Sequence, residues 1–239
     1  MTSVGRVGEL WRYPVKSMRG ERLAAADVDS RGLVGDRLLA VYDAEGKIGS
    51  GKITRRFRPI AGLRTHIART DANAVVIEAR ERPVTRTDAS DCDIALSASL
   101  GQPVSLRREA DIAHHDAAPV HLISTASLRE ISARVGRTLD AFPFRPSIVV
   151  ETDLPWPAEE NWIGCVIALG DAVRLRIVER TERCIMVNAL ADGGVDERVI
   201  RTVARTNDSC LGVYATVETF GEIRNGDAIF LTGDQSVKV

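Results

Sequence analysis

Between Val166 and Val178 the chain reads as a β-hairpin: Val166–Leu169 and Ala172–Val178 flank Gly170-Asp171, and the second arm alternates Val173, Leu175 and Ile177 with Arg174 and Arg176. Such alternation commits one face to a core and the other to water, because a one-residue slip would turn every side chain over. Short apolar stretches of the same kind recur at Val4–Tyr13 (closed by Pro14), Leu38–Asp43, Ala61–Ala68, Asn73–Glu78, His121–Ile123, Ile148–Val150, Gly212–Glu218 and Ala228–Thr232. Helical spacing is confined to three places. Ser90–Gly101 carries Leu96 and Leu100; Ser127–Gly136 opens on Ser127-x-x-Glu130, a capping-box pattern, with Leu128, Ile131 and Val135 on one face; Asp196–Arg205 carries Val199, Ile200 and Val203.

Many short strands with about three helices predict an α+β, mainly β, barrel-like fold. A Pro- and Asp-bearing stretch, 82–93, reads as a loop and sets a soft boundary near residue 90. The expected division is a smaller β-rich region over 1–89, a barrel-like domain with a few helices over 90–233, and a flexible tail over 234–239.

With 239 residues, 44% hydrophobic and 27% charged, the chain can bury a full core, which excludes disordered and fibrous classes. No apolar run approaches the roughly 18 residues of a membrane span, and Met1–Arg6 lacks the pattern of a secretory signal, so the expectation is a cytoplasmic protein with no membrane partner. Cys92, Cys165, Cys184 and Cys210 form no CxxC pair and are expected to be reduced thiols; His66, His114, His115 and His121 show no recognised zinc spacing. Net charge is −1, but residues 1–70 hold 14 Lys and Arg against 7 Asp and Glu. That asymmetry suits a small anionic ligand. Nucleic acid is not expected, because the basic segment lacks interleaved aromatic residues.

Several local patterns carry chemistry. Gly46–Lys52 begins like a phosphate-binding loop, but Ile53 stands where the metal-binding hydroxyl belongs and Thr54–Pro59 cannot start the helix the motif needs. Nucleotide hydrolysis is therefore excluded at this segment. Lys16, Ser17 and Arg19 follow Pro14 in a loop and together offer ammonium, hydroxyl and guanidinium donors to one anion. Arg145 stands at the mouth of the Ile148–Val150 strand, where a fixed guanidinium can hold an oxyanion. His114-His115-Asp116 reads as a structural loop, since sequence neighbours seldom form a catalytic dyad. Cys184 follows Arg183 just beyond the alternating strand, and a thiolate beside a cation is both a nucleophile and a soft metal ligand. Its residue context alone leaves covalent catalysis, sulfur carriage, metal ligation and an inert buried thiol open.

The order Leu10-Trp11-Arg12-Tyr13-Pro14-Val15-Lys16-Ser17, Gly35-Asp36-Arg37, Asp116, Ser127-Leu128, Arg145-Pro146-Ser147-Ile148-Val149-Val150, Arg183-Cys184 and Gly221-x-Ile223-x-x-Gly226-Asp227 resembles the MOSC family, over about Val4 to Leu231. That family includes the C-terminal domain of molybdenum cofactor sulfurases and the amidoxime-reducing components, with an N-terminal β-barrel region ahead of the MOSC domain proper. The resemblance implies a molybdopterin-type molybdenum cofactor. Its metal would be held by Cys184, and its phosphate and pterin by Lys16, Ser17, Arg37, Asp116, Arg145, Ser147 and Arg183. These residues are expected to converge on one ligand. Ser147 stands where the family often has Asn, and Ala117 and Ala118 where it has hydroxyl residues.

The implied activity is that of an oxidoreductase acting on N-hydroxylated or related small substrates, with electrons arriving from separate donor proteins because no flavin, haem or iron–sulfur motif is present. Two alternatives belong to other classes. One is a sulfur carrier that receives persulfide sulfur on Cys184 from a pyridoxal-phosphate-dependent cysteine desulfurase; the other is a non-catalytic cofactor-binding module.

Overall fold

The alternating arm of the hairpin becomes a ten-residue strand, Val173–Glu182, with Val173, Leu175, Ile177 and Thr181 buried. In a computed structural model describing residues 1–79, 82–190 and 194–232, this strand is one stave of a closed ring. Around the ring the strands run Ile148–Glu151, Val120–Ser124, Cys210–Thr219, Val173–Glu182, Val166–Leu169, Ala228–Thr232 and Thr2–Arg12, and the last pairs back to the first with Leu10 opposite Ile148. The mainly β barrel expected from the sequence is thus present. Its interior is filled by Val4, Val7, Leu10, Leu122, Ile148, Leu175, Ile177, Val213 and Ile229, among others.

The first strand departs from simple alternation: its buried residues are Val4, Val7 and Leu10. Bulges between Ser3 and Gly5 and between Val7 and Glu9 insert an extra residue each, and so reset which side faces the core. At Gly5 (φ 146°) a Cβ would lie 2.3 Å from the Glu151 carbonyl oxygen, so only glycine lets the two strands close here.

The chain divides into two units. The first comprises residues 1–11, 23–34 and 117–239; the second comprises 12–22 and 35–116. The boundary expected near residue 90 falls inside the second unit, just before helix α1 (Cys92–Leu100). The tail expected over 234–239 lies outside the described residues.

In the first unit, α2 (Thr125–Val135) and α3 (Arg198–Asn207) cover the outer face of the ring, where Ile131, Val135, Val199 and Val203 pack with Ile123, Val149 and Leu211. Helix α2 begins two residues before the expected Ser127: Ser124 is the cap, its side chain accepting the Ser127 N–H at 3.0 Å. Ser124, Thr125 and Ser127 all carry cap-competent hydroxyls, and the end of the buried strand decides among them.

The second unit packs Leu39–Asp43 against Val104–Arg108 on one side and Ile48–Ser50, then Phe57–Pro59, on the other. A second sheet, His66–Asp71, Ala74–Ala79 and Arg82–Arg86, shares its core, in which Val41, Leu63, Ile77, Leu96 and Leu100 are buried. Two expectations fail here. Ala61–Ala68 is not one strand: Leu63–Thr65 is a single 3-10 turn behind left-handed Gly62, and the strand starts at His66. Nor is 82–93 all loop, because Arg82–Arg86 pairs antiparallel with Ala74–Ala79; Pro83 is tolerated because this strand is at the sheet edge, with a bulge beside it. Both helix ends at Gly101 and Gly136 are left-handed, as their sequence position predicts.

Candidate functional site

In the second unit the Tyr13–Arg19 loop is zipped to the start of the Leu39–Asp43 strand. Lys16 N–H donates to Leu39 O (2.8 Å), Leu39 N–H to Pro14 O (3.0 Å) and Arg37 N–H to Tyr13 O (2.8 Å). These bonds bring Lys16, Ser17 and Arg37 together although 20 residues of chain separate them. All three are buried. Lys16 Nζ donates to His114 O at 2.6 Å and to Asp116 Oδ1 at 3.0 Å, and lies 5.3 Å from the Phe57 ring centroid. Burial would raise the Asp116 carboxyl, but the charge and hydrogen bond of Lys16, with Lys52 and Arg37 behind, hold it well below the usual carboxylate range. The Lys16 side chain is 5% exposed and that of Asp116 46%, so the pair joins a buried ammonium to a carboxylate that water still reaches. Its effect is to fix the ammonium in place.

Arg37 donates to Asp36, a fully buried carboxylate that also accepts the Tyr13 N–H at 2.7 Å, and its guanidinium lies 5.0 Å from the Tyr13 ring centroid. Ser17 Oγ donates to Gly49 O at 3.0 Å. Ser17 (φ 66°) and Arg37 (φ 51°) both occupy the left-handed region, which costs a non-glycine residue about 1–2 kcal/mol. Such conformations concentrate where a side chain must be presented in one direction.

In the first unit a second group forms around His121. Arg145, again left-handed (φ 52°), ends the short Phe142–Phe144 turn, its N–H donating to Phe142 O at 3.1 Å. Arg183 donates to Phe144 O and stacks on that residue's ring, with its backbone N–H bonded to Ser209 O at 2.7 Å. Ser147 is fully buried, its N–H donating to His121 O at 2.8 Å and its carbonyl accepting from Trp11 N–H at 2.9 Å. Cys184 follows Arg183 at the end of the Val173–Glu182 strand, half-buried and in extended backbone. Among the four thiols, burial pushes Cys92 and Cys210 up and away from thiolate, with Arg180 partly opposing it at Cys210. Among the described residues no three His, Cys, Asp or Glu side chains gather in the manner of a metal cage.

Of the residues singled out in the sequence, Lys16, Ser17, Arg37 and Asp116 thus form one group within the second unit. Arg145, Ser147 and Arg183, with Cys184 next in sequence, form another within the first. Four participants were not singled out. Asp36 enters only as the middle of Gly35-Asp36-Arg37, which gives it no role of its own, and Tyr42 has no motif of its own. His114, read as part of a structural loop, and His121, read as the start of a short strand, both turn out to be deeply buried, and the one available signal for His121 was the apolar Leu122-Ile123 beside it in a strand that is buried throughout. After Lys52 no helix follows, in keeping with the broken phosphate-loop pattern. A cavity of about 600 Å³ lined by Leu154, Trp162, Cys165, Val166, Arg176 and Leu231 opens in the first unit. Arg176 lies eight residues before Cys184 along the extended chain, up to about 26 Å at strand rise, so this cavity belongs to the other end of that strand. No helix among the described residues is long and apolar enough to cross a membrane.

Residues 109–230 match the model of the MOSC domain and residues 4–118 that of the MOSC N-terminal beta barrel domain. The chain is 26% identical to mitochondrial amidoxime-reducing component 1 of Homo sapiens, over 98% of this chain and 85% of that protein. It is 24% identical to the Mus musculus protein of the same name, over 98% and 84% respectively. Among solved structures, the YUAD protein of Bacillus subtilis aligns over 96% of this chain and 94% of that one, at 14% identity and a TM-score of 0.54.

Proposed function

The chain belongs to the MOSC family, and from that premise we propose that it is a molybdenum-cofactor oxidoreductase that reduces N-hydroxylated small molecules, with Cys184 as the one protein ligand of the metal. The observation that carries this reading is the setting of Cys184: a half-buried thiol next to Arg183, with no cage of further metal-binding side chains among the described residues. A lone protein ligand suits a metal that arrives already held by an organic cofactor rather than a bare aqueous ion.

The cation sets fit the remainder of such a group. Lys16 and Arg37 in the second unit are buried, fixed donors for phosphate, with Ser17 and Asp116 beside them. In the first unit Arg145 and Arg183 supply guanidinium donors, and Ser147 fixes the backbone on which Arg145 stands. A bidentate guanidinium matches phosphate and pterin acceptors better than a point charge does.

The named relatives are amidoxime-reducing components, and an amidoxime carries its oxygen as N–OH. Reduction there consumes two electrons and two protons and releases water, leaving N–H. The cofactor, when bound, supplies the two-electron redox chemistry. What the chain supplies is position and charge: the cations neutralise the anionic cofactor and Cys184 anchors it. Electrons come from a separate donor protein.

Protein purified from a cofactor-competent host is expected to carry molybdenum and pterin in near equal amounts. Cys184→Ala should lose at least tenfold of its molybdenum while remaining folded. Metal-free, pterin-free wild-type protein from that host would overturn the reading, and a persulfide on Cys184 without pterin would point instead to sulfur transfer from a cysteine desulfurase.

A further inference from the structure

His114 and His121 belong to different units, yet each does the same thing to an arginine of its own unit. His114 Nδ1 lies 3.2 Å from the carbonyl oxygen of Arg37, and its Nε2 lies 3.0 Å from Tyr42 Oη. His121 Nδ1 lies 3.3 Å from the carbonyl oxygen of Arg145, and its Nε2 lies 3.5 Å from Arg183 Nη1. Both rings are deeply buried, and Gly212 leaves the room that His121 needs: a Cβ there would come within 2.6 Å of Nε2.

A carbonyl oxygen only accepts, so Nδ1 carries the proton in each ring. The guanidinium of Arg183 only donates and the Tyr42 hydroxyl can donate, so Nε2 of a neutral ring offers its lone pair to both. The two histidines are therefore set in the same tautomer by different partners.

The peptide groups they hold are unusual in a matched way. Arg37 and Arg145 are both left-handed, at φ 51° and 52°. Each already spends its own N–H inside its unit, on Tyr13 O and Phe142 O. With the carbonyl of the same residue bonded to a buried imidazole, the turn is fastened at both ends. The strain of a left-handed arginine and the stabilisation from one buried hydrogen bond are comparable in size, so the imidazole is well matched to keep the turn populated.

We propose that His114 and His121 are positioning residues, each fastening the left-handed turn of one arginine so that its guanidinium is presented in a single direction to a bound anionic group. This deepens, and rests on, the assignment of Arg37 and Arg145 to the pterin cofactor. The histidines act through the arginines and need not touch the ligand.

Asparagine places its amide N–H where Nδ1 stands, whereas glutamine places it near Nε2. Both replacements at each position, with phenylalanine as the shape control, are tested in the full chain for pterin retained after gel filtration and for hydrogen exchange of the Arg37 and Arg145 amides. The Phe and Gln variants are expected to lose about tenfold of the retained pterin and to exchange the amide of their own arginine about tenfold faster. The Asn variants are expected to restore both toward wild type. Each change should stay local, so that His114 variants leave the Arg145 amide unmoved.

Wild-type retention and exchange in the Phe variants, or Asn and Gln variants that behave alike, would show that the rings only fill space and would overturn the proposal. Where a Phe variant does not fold, the Asn and Gln pair decides. If wild-type protein binds no pterin, the cofactor assignment fails on its own, and the exchange comparison on cofactor-free protein still decides whether the histidines fasten the turns.

Discussion

His114 illustrates how a residue can be legible as an element and illegible as a function. Its neighbours Asp111 to Ala118 look like a polar loop, and a loop is what forms. What the sequence could not reveal is that the ring is buried between Tyr42 and the Arg37 carbonyl, because both contacts join residues more than 70 positions apart. Burial, aided by Lys16 and Arg56 and opposed by Glu109, lowers the pKa of His114, so the neutral ring is the native form. The unfolded chain then binds a proton that the native state does not. Stability from this group is complete above about pH 6.5 and is lost as pH falls through that value toward the depressed native pKa. The urea midpoint of the second unit should therefore drop between pH 7.5 and 5.5, and His114→Gln should flatten that part of the profile; an unchanged profile in the variant would assign the dependence to another group. By contrast Lys16, Arg37, Arg145 and Cys184 could be named in advance because their ordered spacing resembles a family, and a charge or thiol announces its chemistry without a fold. Asp36 lies in the same Gly35-Asp36-Arg37 stretch, but that its buried carboxylate holds both the Tyr13 N–H and Arg37 depends on a contact 23 residues away that the stretch does not announce.

At the level of elements, the sequence is most readable where a single face is buried. Helix α2 emerges close to its expected span because its period of 3.6 is clean, and the expected arm Ala172–Val178 alternates as far as Ile177, after which the strand runs on through bulges to Glu182. The sequence is least readable where a bulge or a proline interrupts the count, as in Thr2–Arg12, Arg82–Arg86 and the last residues of Val173–Glu182. The start of α2 is a smaller displacement with a measurable consequence. Ser124 Oγ accepts the Ser127 N–H in a fully buried setting, and Ser124→Ala removes that acceptor. The expected cost is about 1 kcal/mol, read as a fall in the denaturant midpoint at unchanged slope. Ser127→Ala should cost less if Ser124 alone is the cap, and equal losses would argue against this assignment.

Across the whole molecule the chain passes between its two units four times, after residues 11, 22, 34 and 116, so neither unit is a continuous segment. A fragment of residues 1–89 would leave Leu39–Asp43 without its Val104–Arg108 partner and the second core without Cys92, Leu96, Leu100 and Val104. It should show no cooperative unfolding transition by circular dichroism, whereas a sharp melt would mean that 1–89 folds alone. Strand pairing between distant segments of this kind is what a residue-by-residue reading misses, since it follows from topology and not from local pattern. The ring of the first unit has a further consequence, for behaviour at high concentration. The seven ring strands are paired on both sides, so among the described residues the only open edge of that sheet is the three-residue strand Glu21–Leu23 attached to Thr2–Arg12, too short to offer another copy much to extend. Open sheet margins remain in the small Gly221–Arg224, Ala25–Asp29 and Gly32–Leu33 sheet of the first unit and in the second unit, where two outer strands, Phe57–Pro59 and Arg82–Arg86, carry Pro59 and Pro83. A proline offers no N–H to an incoming strand, so these two strands are poor templates for the growth of a shared sheet.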